Sequence, residues 1–268
     1  MFSSEKLNQL TLQITKLARE AGDFQLRELQ HFERSNIEFK GRSNDLVSYV
    51  DKETEKLLIE GLSKLVPEAG FETEEGTIEQ STTGLRWVID PLDGTTNFLH
   101  KIPLFSISIA LVQDETLLIG VVHEPSRNEC FYAWKDGGAY MNGERIEVSA
   151  IQTLSESLIA TGFPYTLRGK AEQYFSLIRH FVETTQGVRR LGSAAIDLCY
   201  VACGRFESYF EFNLKPWDVA AGILIVREAG GSVSNYSGGS DRCQTAEEVC
   251  AANKDVHPFM IETLKKYW

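Results

Sequence analysis

Asp90 and Asp93 stand three residues apart at the end of the apolar run Trp87-Val88-Ile89, and Gly94, Thr95 and Thr96 follow directly. An apolar strand that delivers two acids to a turn, with exposed backbone amides behind them, can hold a hard cation beside a phosphate. Gly94 permits close backbone approach, and Thr95 and Thr96 begin a short helix whose first amides favour an anion. Two more acids carry the same potential. Glu74 lies in the polar loop Glu74-Glu75-Gly76, and Asp218 falls in the first turn of a helix that starts at Pro216. Plainer readings stand beside these. Asp-x-x-Asp is a common spacing, and a glycine turn with threonine caps needs no ligand. Asp218 at a helix start gains about 0.3–1 kcal/mol from the helix dipole alone. The dipole accounts for one acid, but not for two at a strand end.

The elements that must position these residues are legible from periodicity. Leu7, Leu10, Ile14, Leu17 and Ala21 predict an amphipathic helix over 5–30, and a second helix runs from about Lys52 to Leu65, closed by Pro67. Strands are expected at 86–90, 104–112, 117–123 and 129–134, with Ser106 and Ser108 set between apolar neighbours. Asn142-Gly143 is a two-residue hairpin turn joining 138–141 to 145–148, so the middle of the chain reads as an antiparallel meander. After residue 150 the pattern changes to strand 158–161, helix 170–183, helix 193–203 and strand 206–210. Helix 216–229, strand 249–252 and helix 257–266 complete it. The chain therefore reads as one domain over 1–268, with an α+β half to about 150 and an α/β half from about 151 to 268.

Composition bounds the function. Hydrophobic residues make up 43% of 268, enough for a large core, and no run approaches the roughly 18 apolar residues of a membrane span. The polar start Met1-Phe2-Ser3-Ser4-Glu5-Lys6 lacks a signal pattern, so a soluble cytoplasmic protein without membrane partners is expected. A net charge of -11 argues against nucleic acid as a partner. An acidic protein that handles an anionic phosphate needs local positive charge, which bound metal ions supply. The five cysteines are odd in number and scattered, which fits reduced core thiols and not a disulfide framework or a zinc site.

Three segments in order resemble the inositol monophosphatase family, part of the magnesium-dependent, lithium-sensitive phosphatase superfamily. Asp90-Pro91-Leu92-Asp93-Gly94-Thr95-Thr96-Asn97-Phe98 is similar to its first signature, and Trp217-Asp218-Val219-Ala220-Ala221-Gly222 to its second. Glu74-Glu75 stands where the family carries an acidic pair, and the resemblance covers roughly residues 5–266. It implies a layered α-β-α-β-α sandwich and a homodimer. It also implies two to three Mg2+ ions, held by Glu74, Asp90, the Leu92 carbonyl, Asp93 and Asp218. The nucleophile implied is a metal-bound water, oriented and deprotonated by Thr95 with Asp51; read from the residues alone, Asp51 is a helix N-cap. Glu74 counts with Thr95 and Asp51 in the catalytic set. The amides of Gly94 and Thr95, with Asp93, Thr96 and Asp218, would hold the phosphate ester. Ala194 and Glu211 would contact sugar or inositol hydroxyls. Lys40 matches a lysine of a mobile loop, and Arg189 and Arg190 read as surface charge or subunit contact.

Within the superfamily, Thr96 and Asn97 depart from the lysine and acid that mark the nucleotide branch, which argues against 3′-phosphoadenosine 5′-phosphate. Inositol 1-phosphate is the expected substrate. Fructose 1,6-bisphosphate and histidinol phosphate are alternatives, and a non-catalytic regulator that binds a protein partner such as RNA polymerase is a reading of a different class.

Overall fold

Strands at the centre of the chain carry apolar side chains on both faces, so each must be covered twice. The structure, a computed structural model describing residues 2–32, 37–39, 46–164, 166–240 and 247–268, shows how. The first half comprises helix α1 (Ser4–His31), the hairpin strands β1 (Ile37–Phe39) and β2 (Leu46–Ser48), helix α2 (Tyr49–Leu65) and strand β3 (Gly70–Thr73). Strand β4 (Leu85–Asp93) and the short helix α3 (Thr95–Leu99) follow. The meander then runs β5 (Ser106–Gln113), β6 (Thr116–Glu124), β7 (Glu129–Trp134), β8 (Gly138–Met141) and β9 (Glu144–Ile146). The second half contains β10 (Leu158–Thr161), α4 (Ala171–Thr184), β11 (Gly187–Arg189), α5 (Ala194–Ala202) and β12 (Ser208–Phe212). It ends with α6 (Pro216–Glu228), β13 (Ser232–Ser234), β14 (Glu248–Ala252) and α7 (His257–Tyr267).

Strands β3 to β9 form a seven-stranded sheet in sequence order, antiparallel except for the parallel pair β3 and β4. A five-stranded sheet has the order β11-β10-β12-β14-β13. On one face of the larger sheet Trp87, Ile89, Ile109 and Val121 pack with Leu10, Ile14, Leu58 and Leu62 of α1 and α2. Their neighbours Val88, Ala110, Val122 and Phe131 face the other way. They join Ile196 and Leu198 of α5, Val219 and Ile223 of α6, and Ala160, Tyr209 and Ala251 of the smaller sheet. The remaining face of that sheet, with Ile159, Phe210 and Cys250, is covered by Tyr174, Phe181, Met260 and Leu264 of α4 and α7. The result is a layered α-β-α-β-α sandwich. The helices of the middle layer are largely apolar for this reason, and all nine residues of α5 are buried, Asp197 among them.

The structure departs from these expectations in some places and does not describe others. The N-cap of α2 is Ser48, not Asp51; Asp51 is the third helical residue and completes a capping box. Strand β3 falls in a segment to which no element was assigned, where only Phe71, Glu72 and Thr73 are buried, too few for alternation to show. Strands β11 and β13, of three residues each, were likewise invisible to periodicity. Lys40, expected on a mobile loop, lies outside the described residues, as does Cys243.

Candidate active site

The end of β4 is not a regular strand. Asp90 pairs with Ser108 and Asp93 with Ser106, so three steps on β4 oppose two on β5. A bulge of this kind inserts one residue and re-aims the side chains that follow. In an unbroken strand, positions three apart point to opposite faces. The extra residue puts Asp90 and Asp93 on the same side. Pro91 sits inside the bulge, where no ladder amide is required, and its carbonyl accepts a 2.7 Å hydrogen bond from Gln25 of α1. Gly94 then turns with φ of 93°, a conformation that favours glycine, and starts α3.

Around this turn the fold gathers groups from distant segments. One cavity of about 510 Å³ is walled by Glu74, Asp90, Leu92, Asp93, Thr95 and Asp218, and extends to Glu211. Gly94, Thr96 and Ala194 also line it. Thus Glu74, the β4 acids, the α3 start, the α5 start, Glu211 of β12 and the first turn of α6 meet in one place. Glu55 of α2, fully buried, fixes the loop after Glu74 by accepting from the amides of Glu75 and Thr77 at 2.8 Å each. Ser106 contacts Ser193 at 3.1 Å, and Ser108 donates to the Trp217 carbonyl at 3.0 Å. The two serines of β5 thereby tie both helix starts to the sheet.

Asp51, 1% exposed, reaches the site through Thr95. Its Oδ2 accepts from the Ser48 amide at 2.9 Å and hydroxyl at 2.7 Å. Its Oδ1 lies 3.2 Å from the Thr95 hydroxyl, which is also 3.0 Å from the Leu92 carbonyl. Asp93 accepts from the Ser193 hydroxyl at 2.6 Å and the Ala195 amide at 2.8 Å. Asp218 accepts from the Lys215 amide at 2.7 Å, so the helix-start reading of this residue holds at the same time as its place in the cavity wall. Glu211 accepts from the Tyr209 hydroxyl at 2.7 Å. Asn97 donates to the Leu104 and Leu191 carbonyls, which makes it a brace between α3 and the strand leading to α5.

The acids disturb one another. Burial first, then the charges of Glu74, Asp93 and Asp218, hold Asp90 well above the usual carboxylate range, and it shares a hydrogen bond with Glu74. Burial, then Asp93 and Glu74, does the same to Asp218. Burial raises Asp93 to about 6, against the opposing hydrogen bonds of Ser193, Ala195 and Ala194. Among the described residues no three such groups form a closed ligand set. Like charges gathered in one buried site raise one another's pKa, and the hydrogen bond between Asp90 and Glu74 is part of the same crowding. Buried oxygen donors, with a backbone carbonyl among them, are the set a hard divalent cation takes. The residues fit magnesium on that chemistry.

Ser48, Glu55, Gln25 and Ser193 were not identified from sequence. Each supports another residue, and serines and buried carboxylates carry no spacing that marks such a role. Arg190, expected at the surface or a subunit contact, is exposed but lines the cavity mouth. Arg189 is exposed and donates to the Val188 carbonyl. Asp197, one turn into α5, also lines the cavity.

Two stacked sheets with a helical layer between them, and an acid-walled cavity where the middle helices begin, define a class of layered α/β proteins. Known proteins narrow it. Residues 6–268 match the family described as "Inositol monophosphatase family". The inositol-1-monophosphatase of Mesorhizobium japonicum is 39% identical over 254 residues, covering 94% of this chain and 95% of that protein. A putative Nus factor SuhB of Neisseria meningitidis serogroup B is 41% identical over 253 residues, covering 94% and 96%. The crystal structure of extragenic suppressor protein suhB from Bartonella henselae superposes with a TM-score of 0.89 at 38% identity, over 96% of this chain and 99% of that one. The chain belongs to the inositol monophosphatase family.

Proposed function

We propose that the chain is a magnesium-dependent phosphate monoester hydrolase whose substrate is inositol 1-phosphate. The observation that carries this reading is the convergence of Glu74, Asp90, Asp93 and Asp218 on one cavity beside the Thr95–Asp51 pair. Glu74, Asp90, the Leu92 carbonyl, Asp93 and Asp218 would hold the magnesium ions, which when bound neutralise phosphate charge, acidify water and stabilise the leaving oxygen. Thr95 orients the attacking water, accepting a hydrogen bond from it while donating to Asp51. Asp51, fixed by two Ser48 hydrogen bonds, takes the proton the water loses on attack. Attack in line breaks the bond between phosphorus and the ester oxygen. The amides of Gly94 and Thr95 face the phosphate oxygens. Glu211, which accepts from the Tyr209 hydroxyl and lines the same cavity, would accept from ring hydroxyls. Lithium sensitivity and a homodimeric assembly belong to the same reading.

Phosphate release from inositol 1-phosphate, by wild type and by Asp93→Asn, tests it. Asn keeps the volume and loses the charge, so turnover should fall by at least about 100-fold with the fold intact. Equal turnover by both proteins contradicts the site. A second reading, a binding role, is supported by relatives of similar identity named as Nus factors. Binding that survives Asp93→Asn while turnover is lost would separate the two.

A further inference from the structure

Four of the cavity acids have an identified hydrogen-bond donor: Leu92 for Asp90, Ser193 for Asp93, Tyr209 for Glu211 and Lys215 for Asp218. Asp197 differs from these four. It is 1% exposed, it lines the cavity, and among the described residues its Oδ1 is buried and accepts no hydrogen bond. Its position follows from helix geometry. Asp197 lies three and four residues after Ala194 and Ser193, so the three share a face of α5, and all three line the cavity. Leu198 and Cys199, on the faces beside it, belong to the core.

The surroundings of Asp197 show what would satisfy it. Burial first, then the charges of Glu211 and Asp93, raise its pKa well above the usual range, and the Arg190 guanidinium opposes them. Glu211 and Asp197 are thus two buried carboxyls on the wall of one cavity, close enough to act on one another's charge. Gly162 makes room for this arrangement. A Cβ there would lie 1.9 Å from Glu211 Oε2, so any side chain at position 162 would push Glu211 out of the site. A buried acid with an orphaned oxygen is a cost to the fold, and a ligand hydroxyl removes it. An apolar or singly hydroxylated leaving group could not bond two acids at once. A ring with adjacent hydroxyls could.

We propose that Asp197 is a specificity residue which, with Glu211, grips neighbouring hydroxyls of a polyol phosphate and so selects polyols over simple phosphate esters. This rests on the phosphatase reading above, and it assigns to α5 a side-chain contact in addition to the backbone amide of Ala194.

The test compares wild type, Asp197→Asn and Asp197→Ala with magnesium on inositol 1-phosphate and on p-nitrophenyl phosphate, which has no hydroxyl to grip. For Asp197→Ala, kcat/KM on the inositol ester should fall about 10-fold or more, chiefly through KM, and stay within about twofold on the nitrophenyl ester. Asp197→Asn keeps an acceptor oxygen and should recover part of the loss. Without substrate, both variants should melt at or above the wild-type temperature, because a ligand-seeking acid does not stabilise the empty fold. An equal fall on both esters, or a lowered melting temperature, makes Asp197 a structural residue and overturns the proposal. So does an unchanged preference. A wild type that turns over neither ester overturns the phosphatase reading itself, and the specificity role falls with it.

Discussion

Thr95 has one hydroxyl proton and two acceptors, Asp51 at 3.2 Å and the Leu92 carbonyl at 3.0 Å. In the proposed mechanism the Leu92 carbonyl would be taken by a cation, so the Thr95 proton would go to Asp51 and its lone pairs would be left for the attacking water. Thr95→Ala removes that hydrogen-bond relay, and Asp51→Asn removes the proton acceptor while keeping its shape. Each should lower kcat on a phosphate ester by about 10²–10⁴-fold, the range of a general-base contribution, with an unchanged far-ultraviolet circular dichroism spectrum. A rate within a few-fold of wild type for both would remove the pair from the mechanism. At this scale the sequence was informative where chemistry and spacing coincide, as in Asp90, Asp93 and Gly94. It was silent where a residue acts through another. Ser48, Ser193 and Glu55 mean nothing until Asp51, Asp93 and the Glu74 loop come within 3 Å of them. Asp197 had the same difficulty, because its helix reads as core throughout and only its orphaned oxygen separates it from its neighbours.

The bulge in β4 and the two helices between the sheets decide the geometry at the scale of elements. The register shift between Asp90 and Asp93 turns a common Asp-x-x-Asp spacing into a convergent pair. Helix α6 brings the fourth acid, and its distance from the sheet is fixed by Gly120 of β6. A Cβ at Gly120 would lie 2.6 Å from the Ala221 carbonyl oxygen, a backbone atom that cannot rotate away. Gly120→Ala should therefore destabilise the protein by about 1–3 kcal/mol in denaturant unfolding. It should also reduce turnover, since α6 carries Asp218. Wild-type stability together with wild-type rate would show that the layer spacing does not set the site. Long helices and the meander were legible because their periods span several turns or several pairs. The bulge was not, because Pro91 and Leu92 look like any strand ending; only the pairing with Ser106 and Ser108 exposes the extra residue. The parallel strand β3 was missed for a related reason, since its four residues are defined by a partner and not by a pattern.

For the whole molecule the net charge is -11, and several of its acids are buried together in the cavity. Burial lifts Asp90 and Asp218 well above the usual range and Asp93 to about 6, so each disfavours the folded state when ionised. Without metal, their contribution to stability falls as pH rises through those raised values. Magnesium should reverse this at neutral pH. At about 100 times its dissociation constant it adds about 2.7 kcal/mol, or roughly 5–10 °C for a chain of this size. Differential scanning fluorimetry with and without chelator reads that shift, and Asp93→Asn should reduce it. A melting temperature indifferent to magnesium would mean that the acids are not a metal site. Among the described residues no helix is long and apolar enough to cross a membrane. The α/β character of the second half followed from the alternation of helices and strands and the layered architecture from the family resemblance, whereas the meeting of the two halves around one cavity is a property of tertiary packing that no local pattern encodes.

The most direct measurement is inorganic phosphate release in magnesium from a panel of inositol 1-phosphate, fructose 1,6-bisphosphate, histidinol phosphate and 3′-phosphoadenosine 5′-phosphate. Release is expected to be fastest from inositol 1-phosphate, to stop with chelator and to return when magnesium is restored. Preference for another ester would contradict the substrate and keep the metal-dependent site. Release that continues in chelator, or none from any ester, would contradict magnesium-dependent phosphate hydrolysis itself.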